Sequence, residues 1–440
     1  MKNKMQKVLV ILLALMMVFS LGACSTEKVD KGIATDPATT EGKDSSTATE
    51  DRVEIEFWGD WGGEGQKQFE YMLTEFNKSQ DKVVAKYVLQ QDMITKFLTA
   101  SVTGEAPDIM FWDRYRTALY APKGVLHPIN DYMKRDGIKE QEFYSEAIKE
   151  LTNDGNLYGL PLTVDNRSLF YNKTMFEEKG IKPPTTWEEM REAAKKLTVW
   201  NGDKMEVSGL SLSDVGLFNM WIQQAGGQML NDEQNKTAFN SQAGLDVLDF
   251  WSQLMFEDKV YTLGFESGLG EGVDAFATGK VAMTYTGPWM LSTYESYGDD
   301  LDFGIVAPPA GPNGDKGGLM GGFGLVIPES AKHKEEAWEL MKWWLSQPEN
   351  AATYAKMSKN IPGVHVATED EYFAENEYYK AFLDTFEFAK IRPTIAQYPN
   401  MEEKAVIPQL QLFMEGKITA KEALDSAQKL GDVLLLEKAE

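Results

Sequence analysis

The chain has 440 residues, 43% of them apolar and 25% charged, which excludes a disordered or fibrous protein and leaves room for two or three domains of roughly 150 residues each. A formal charge of −24 repels nucleic acid and anionic lipid and disfavours an anionic ligand. One cysteine, Cys24, and three scattered histidines, His127, His333 and His365, exclude an internal disulfide and a cysteine-based metal site, and the spacings HExxH, GxSxG and GxxxxGK(S/T) do not occur.

Lys2, Lys4 and Lys7 precede an unbroken apolar run of 12 residues, Val8 to Phe19, too short for the ~20 needed to span a bilayer. The run ends in Leu21-Gly22-Ala23-Cys24, so residues 1–23 resemble a bacterial lipoprotein signal peptide. That resemblance implies cleavage before Cys24 and lipidation of its sulfur. Losing three lysines takes the charge from −24 to −27. Residues 24–51 are rich in Ser, Thr, Lys, Glu, Asp and Gly, the composition of a flexible tether.

Val53, Ile55 and Phe57 alternate with polar residues and predict a strand ending at Trp58-Gly59, with a turn over 60–64. Phe69, Met72, Leu73 and Phe76 have helical spacing. Val83–Leu89 is a second strand, and Ile94, Phe97, Leu98 and Val102 mark a second helix stopped at Gly104. The apolar run Ile109-Met110-Phe111, after Ala106-Pro107, predicts a third strand that ends Trp112-Asp113-Arg114. A β-α-β-α-β order implies parallel strands, which brings Trp58, Asp60, Trp61 and Glu64 to the same sheet edge as Trp112, Asp113 and Arg114. Ligands of open α/β sheets bind beyond that edge. An indole face, an acceptor and a planar donor fork suit a sugar, which stacks through its C–H face and bonds through its hydroxyls. The same residues also fit a surface ion pair, Asp113–Arg114, beside a core Trp112.

Tyr158-Gly-Leu-Pro161 and Thr163-Val-Asp-Asn166 lead into the apolar run Leu169-Phe-Tyr-Asn172, where a change of lobe is expected. Thr186 and Glu189 form a capping box that opens a helix to Leu197. Val207–Leu212 reads as a strand, and Leu217–Gln224 as a helix carrying Phe218 and Trp221. Ser241 caps a helix whose stripe is Leu245, Leu248, Trp251, Leu254 and Met255. A strand at Val281–Tyr285 ends in Thr286-Gly287-Pro288, which holds Trp289 stiffly at its end, either as a ligand platform or as core. Phe303–Val306 and Phe323–Ile327 are further strands. Gly321-Gly322 ahead of the last one permits close approach of a ligand, or simply a tight turn. Ser330 precedes a helix with Ala337, Leu340, Met341 and Trp344 inside; Thr419 and Glu422 box the final one.

Taken together, Ala106-Pro-Asp-Ile-Met-Phe-Trp112, Tyr158-Gly-Leu-Pro161, Leu169-Phe-Tyr-Asn-Lys173, Phe239-Asn-Ser241, Ala275-Phe-Ala-Thr-Gly-Lys280 and Ala282-Met-Thr-Tyr-Thr-Gly-Pro-Trp289 resemble, in order, the sugar-binding family of bacterial extracellular solute-binding proteins, the class that includes the maltose-binding protein. The resemblance implies an α/β, two-lobed periplasmic-binding-protein fold, its discontinuous lobes joined by three crossing segments around a central cleft. Carried over, one lobe is 52–163 plus 318–360 and the other 164–317 plus 361–440. It also implies the function: a membrane-anchored component of an ABC sugar importer that hands a sugar or oligosaccharide to permease subunits. The expected protein is a monomer with no catalytic residues, metal or cofactor, on the outer face of the cytoplasmic membrane. By resemblance, Trp58, Asp60, Trp61, Glu64, Trp112, Asp113 and Arg114 are ligand contacts, Trp289 stacks on a sugar ring, and Asp165 and Asn166 enter the cleft. Trp221, Arg392 and Tyr398 transfer on looser motifs. The alternatives are an extracellular glycoside hydrolase, with Asp60 or Glu64 paired to Asp113, and a polysaccharide-binding surface protein.

Overall fold

The computed structural model describes residues 52–437. The signal peptide, the tether and Cys24 lie outside the described residues. No helix among the described residues is long and apolar enough to cross a membrane.

The chain begins with β1 (Val53–Gly59), α1 (Gly63–Ser79), β2 (Val83–Leu89), α2 (Met93–Thr103) and β3 (Ile109–Asp113), as the hydrophobic pattern predicts. After α3 (Ser145–Glu150) come three short strands in quick succession: β4 (Gly159–Pro161), β5 (Thr163–Asn166) and β6 (Ser168–Asn172). Then follow α4 (Trp187–Leu197), α5 (Phe218–Gln224), α6 (Gln242–Ser252), β7 (Met283–Thr286) and β8 (Phe303–Val306). The chain returns through β9 (Gly318–Gly321) and β10 (Phe323–Val326) to α7 (Lys334–Leu345), and ends with β11 (Ile361–Pro362), α8 (Glu377–Phe386), β12 (Ala389–Lys390) and α9 (Ala420–Leu436).

Three sheets organise these elements. The first runs β2-β1-β3-β10-β4. Its first three strands are parallel, with Trp58 beside Met110, so the carboxyl ends of β1 and β3 do share an edge. Strand β10 is antiparallel to both its neighbours, making the sheet mixed. The second is an antiparallel sheet, β7-β6-β8. The third, β11-β5-β9-β12, consists of the segments where the chain passes between the other two: β5 links β4 to β6, and β9 links β8 to β10.

Two hydrophobic cores accompany this division. One gathers Phe57, Phe69, Phe111, Trp112, Trp338 and Trp344 around the first sheet; the other gathers Leu169, Trp187, Trp221, Trp251 and Tyr398. Strand alternation splits β6 between them, Leu169 facing the second core and Phe170 the first.

Helix ends follow their caps. Thr419 and Glu422 make both bonds of the capping box. At α4 the Thr186 hydroxyl accepts from the Glu189 amide, but the Glu189 carboxylate turns to Thr185 instead. One expectation is corrected. In place of a strand over 207–212, Val207 ends a bulged hairpin, Val199–Asn201 with Lys204–Val207, and residues 208–212 form no strand. Beyond it the chain only touches Val281–Met283, because the Ser208 hydroxyl donates to Leu210 and Val260 carbonyls and Gly209 is pressed onto the Ala194 backbone. The helix expected after Ser330 forms over Lys334–Leu345 with Ala337, Leu340, Met341 and Trp344 buried, and Asp108 accepts from the His333 amide at its start at 3.0 Å.

Candidate functional site: the edge where two lobes meet

Beyond the ends of β1 and β3 the first sheet presents an aromatic wall. Trp61 is half-buried, its ring 4.6 Å from Phe111 and 4.9 Å from Phe323 between centroids. The Tyr87 hydroxyl donates to the Trp61 carbonyl at 2.7 Å, which fixes the turn. Asp60 is exposed beside it. Asp113 caps the turn after β3, accepting from the Tyr115 amide at 3.3 Å. Burial pushes the Asp113 carboxyl up, Arg116 and Arg114 oppose that, and Asp165 pushes it further up, so the two acids are close enough to feel each other.

Asp165 comes from β5, in the crossing sheet. It accepts from Arg167 Nη1 at 3.0 Å, and the Arg167 guanidinium lies 4.8 Å above the Trp289 ring. Trp289 is 39% exposed, an indole displayed past the end of β7. Gly287 is required there, since a Cβ would sit 2.0 Å from the Trp289 ring. The third part is Tyr115, which follows β3 yet packs against the second core. Arg392 sits 5.7 Å over its ring and donates to Glu402 at 3.0 Å. Burial works against the Arg392 charge, but Glu402, Tyr398 and Tyr115 outweigh it. Arg392 also borders a cavity of about 340 Å³ between Glu146 and Lys149 on one side and Asn219 and Gln223 on the other.

These elements carry two partly exposed indoles (Trp61, Trp289), carboxylate acceptors (Asp60, Asp113, Asp165) and anchored guanidinium donors (Arg167, Arg392). Groups of these kinds can stack on a neutral polyol and make charge-assisted hydrogen bonds to its hydroxyls.

The structure gives the other expected contacts partners within the protein. Trp112 is fully buried, its N–H on Thr117 Oγ1 at 3.1 Å and its ring edge-on to Phe97 and Tyr120, so it is core. Trp221 is core as well, among Trp187, Trp251 and Tyr285. Trp58 is 8% exposed and donates to Glu56 on its own strand. Glu64 is exposed in the first turn of α1, paired with Lys67. Asn166 is buried and pins β5 to α8 through the Phe382 carbonyl at 2.8 Å. Tyr398 is buried and positions Glu402, its hydroxyl donating at 3.0 Å. Gly321 and Gly322 serve packing: the Gly321 carbonyl accepts from Arg114 at 2.6 Å, and Gly322 has φ +132° against the Thr163 carbonyl. Arg114 has no exposed surface at all.

Arg167, Tyr115, Phe323 and Glu402 were not anticipated. Arg167 and Tyr115 had a signal: each lies two residues beyond an expected contact, Asp165 and Asp113. In extended chain, as from Asp165 to Arg167, that spacing returns to the same face; Tyr115 instead sits in the helical turn Arg114–Arg116 that Asp113 caps. Phe323 and Glu402 carried none, because only the tertiary fold brings them in.

Residues 60–351 match the family described as bacterial extracellular solute-binding protein. The chain belongs to that family. Among similar solute-binding proteins, a galactooligosaccharide-binding protein of Bacillus subtilis (strain 168) is 26% identical over 370 residues, 81% of this chain and 83% of its own length. A maltotriose-binding protein of Pyrococcus abyssi is 24% identical over 286 residues, covering 64% of this chain and 60% of its own. Among solved structures, a solute-binding protein of an ABC transporter from Thermotoga lettingae TMO, bound with α-D-tagatose, is 26% identical with a TM-score of 0.73, over 87% of this chain and 100% of that one. The GacH receptor of Streptomyces glaucescens has a TM-score of 0.76 at 23% identity, over 88% and 99%. The fold is therefore the two-lobed α/β fold of these binding proteins, and the family and its relatives are named for binding, not for catalysis.

Proposed function

We propose that this chain is the lipid-anchored capture component of an ABC sugar importer, binding an oligosaccharide between lobes 52–163 plus 318–360 and 164–317 plus 361–440. The observation that carries the reading is Trp289: an exposed indole stiffened by Gly287-Pro288 and held by Arg167, which Asp165 anchors in the crossing sheet. Trp289 and Trp61 stack on sugar rings, Asp60, Asp113 and Asp165 accept from hydroxyls, and Arg167 and Arg392 donate. Five charge-assisted bonds at roughly 1.5 kcal/mol each, with about 1 kcal/mol from stacking, give micromolar affinity.

Sugar contact on both sides makes the closed form the tighter one, and a ligand shifts a conformational equilibrium only through such differential affinity. The closed form is what the permease subunits take up. Cleavage before Cys24 and lipidation there keep the monomeric chain on the outer face of the membrane, with residues 24–51 as tether. The protein carries out no bond chemistry and uses no cofactor. Support comes from relatives named for galactooligosaccharide and maltotriose.

The test is calorimetry of the full chain against galactooligosaccharides, maltotriose and mannotriose, followed by chromatography of the recovered sugar. Micromolar binding with intact sugar is expected. Shortened sugar establishes the hydrolase alternative, and binding only to long polymers establishes the surface-adhesion one.

A further inference from the structure

We propose that Arg114 is the positioning residue of the cleft: it touches no ligand, but pins two of the chain crossings to the first lobe and so fixes how Asp113 and Asp165 meet a sugar. This rests on the sugar-binding reading above. A guanidinium has five N–H donors in a rigid fork. Here they serve four elements at once. Nε donates to Glu150 on α3 at 3.0 Å, and Nη2 to the Gly321 carbonyl of β9 at 2.6 Å. Nη1 donates to the Phe323 carbonyl of β10 at 3.3 Å and to the Thr163 carbonyl of β5. Strands β5 and β9 are two of the segments by which the chain passes between the sheets, and one side chain holds both.

The surroundings are shaped for this. At Gly322 a Cβ would stand 2.6 Å from Arg114 Nη1 and 2.4 Å from the Thr163 carbonyl oxygen. Any other residue would push the fork off its acceptors. The neighbours of Arg114 diverge: the half-buried Asp113 holds its carboxylate on the Tyr115 amide and within electrostatic reach of Asp165, and Tyr115 packs on the second core under Arg392. Three consecutive residues thus address Asp165, the crossings and the second core.

Stability alone does not call for this design. A buried ion pair gains little over well-packed apolar side chains of the same volume, because desolvation offsets its attraction. What the pair adds is a defined geometry, and this one defines the geometry of the crossings.

Arg114→Lys in the full chain is the test. One ammonium reaches Glu150 or a single carbonyl, but not the carbonyls of β5 and β9 together. Amide hydrogen exchange in Thr163–Asn166 and Gly318–Gly321 is expected to rise together by about tenfold, while Val53–Gly59 stays protected. Binding of maltotriose, mannotriose or galactooligosaccharide, whichever the wild type takes, is expected to weaken by about tenfold. Exchange that rises evenly through the core, or stays as in the wild type, overturns the inference, as does unchanged affinity of the folded protein. The exchange measurement needs no sugar, so it decides the inference even if the wild type binds none and the sugar reading falls. If Arg114→Lys fails to fold, Glu150→Gln, which keeps the shape but weakens the hold on Nε, is read the same way. Raised exchange confined to the two crossings supports the proposal, and unchanged exchange overturns it.

Discussion

Replacing Trp289 by alanine separates a ligand platform from a piece of core. The indole is 39% exposed, and a large aromatic side chain presents roughly 250 Å². About 100 Å² of ring is therefore open to a sugar. Covering half to all of it, at about 25 cal/mol per Å², is worth roughly 1.2–2.5 kcal/mol. Dissociation constants should rise about 10- to 70-fold. Folding should suffer less. The ring rests on Gly287 and under Arg167, and an exposed cation–π contact contributes only about 0.5–1 kcal/mol. Calorimetric titration gives the first number and a urea melt the second. An affinity within twofold of wild type, in a variant that melts normally, would refute the stacking role.

Trp221→Ala should do the reverse, costing about 3–5 kcal/mol of folding stability by opening a cavity, while the protein that remains folded binds sugar normally. Stability should also depend on pH through Glu150, which burial pushes up to about 7, with Arg114 opposing and Asp113 and Asp165 adding to the rise. The folded state then holds a proton that the unfolded state releases from about pH 4.5 upward, so this contribution is complete at low pH and lost as pH rises through 7. The unfolding free energy from urea melts should fall between pH 5 and pH 8 by on the order of 2 kcal/mol, and Glu150→Gln should flatten that slope; an unchanged slope would place the dependence elsewhere. Cys24→Ala should move the protein from the membrane to the soluble fraction on fractionation of cells.

The first half of the fold was legible because its signals are local. Alternation in Val53–Gly59 and Val83–Leu89, helical spacing in Phe69–Phe76, and the breakers Pro107 and Gly104 each act within a few residues. The shared edge of β1 and β3 followed from topology alone. The Val207–Leu212 strand misled because an apolar pattern reports burial, and these residues are buried by packing on α4 and the 260 region without joining a ladder.

The site was legible by position more than by side chain. Trp112 and Arg114 stand at the predicted edge, but their side chains point inward, because β3 is buried on both faces and sits next to β10. One residue of strand register decides cleft or core, and a motif of adjacent aromatic, acid and base does not carry that register. Asp113, with Tyr115 two residues on, faces outward where Trp112 and Arg114 do not. Glu402 and Phe323 come from distant sequence and enter only through the crossings.

The central claim is that two lobes close on a sugar. Its most direct test is the distance between spin labels at Lys67 on α1 and Lys195 on α4, placed as cysteines in a Cys24→Ala background and measured by pulsed electron resonance with and without the bound saccharide. A single shorter distance on binding is predicted. Binding with an unchanged distance distribution would contradict it.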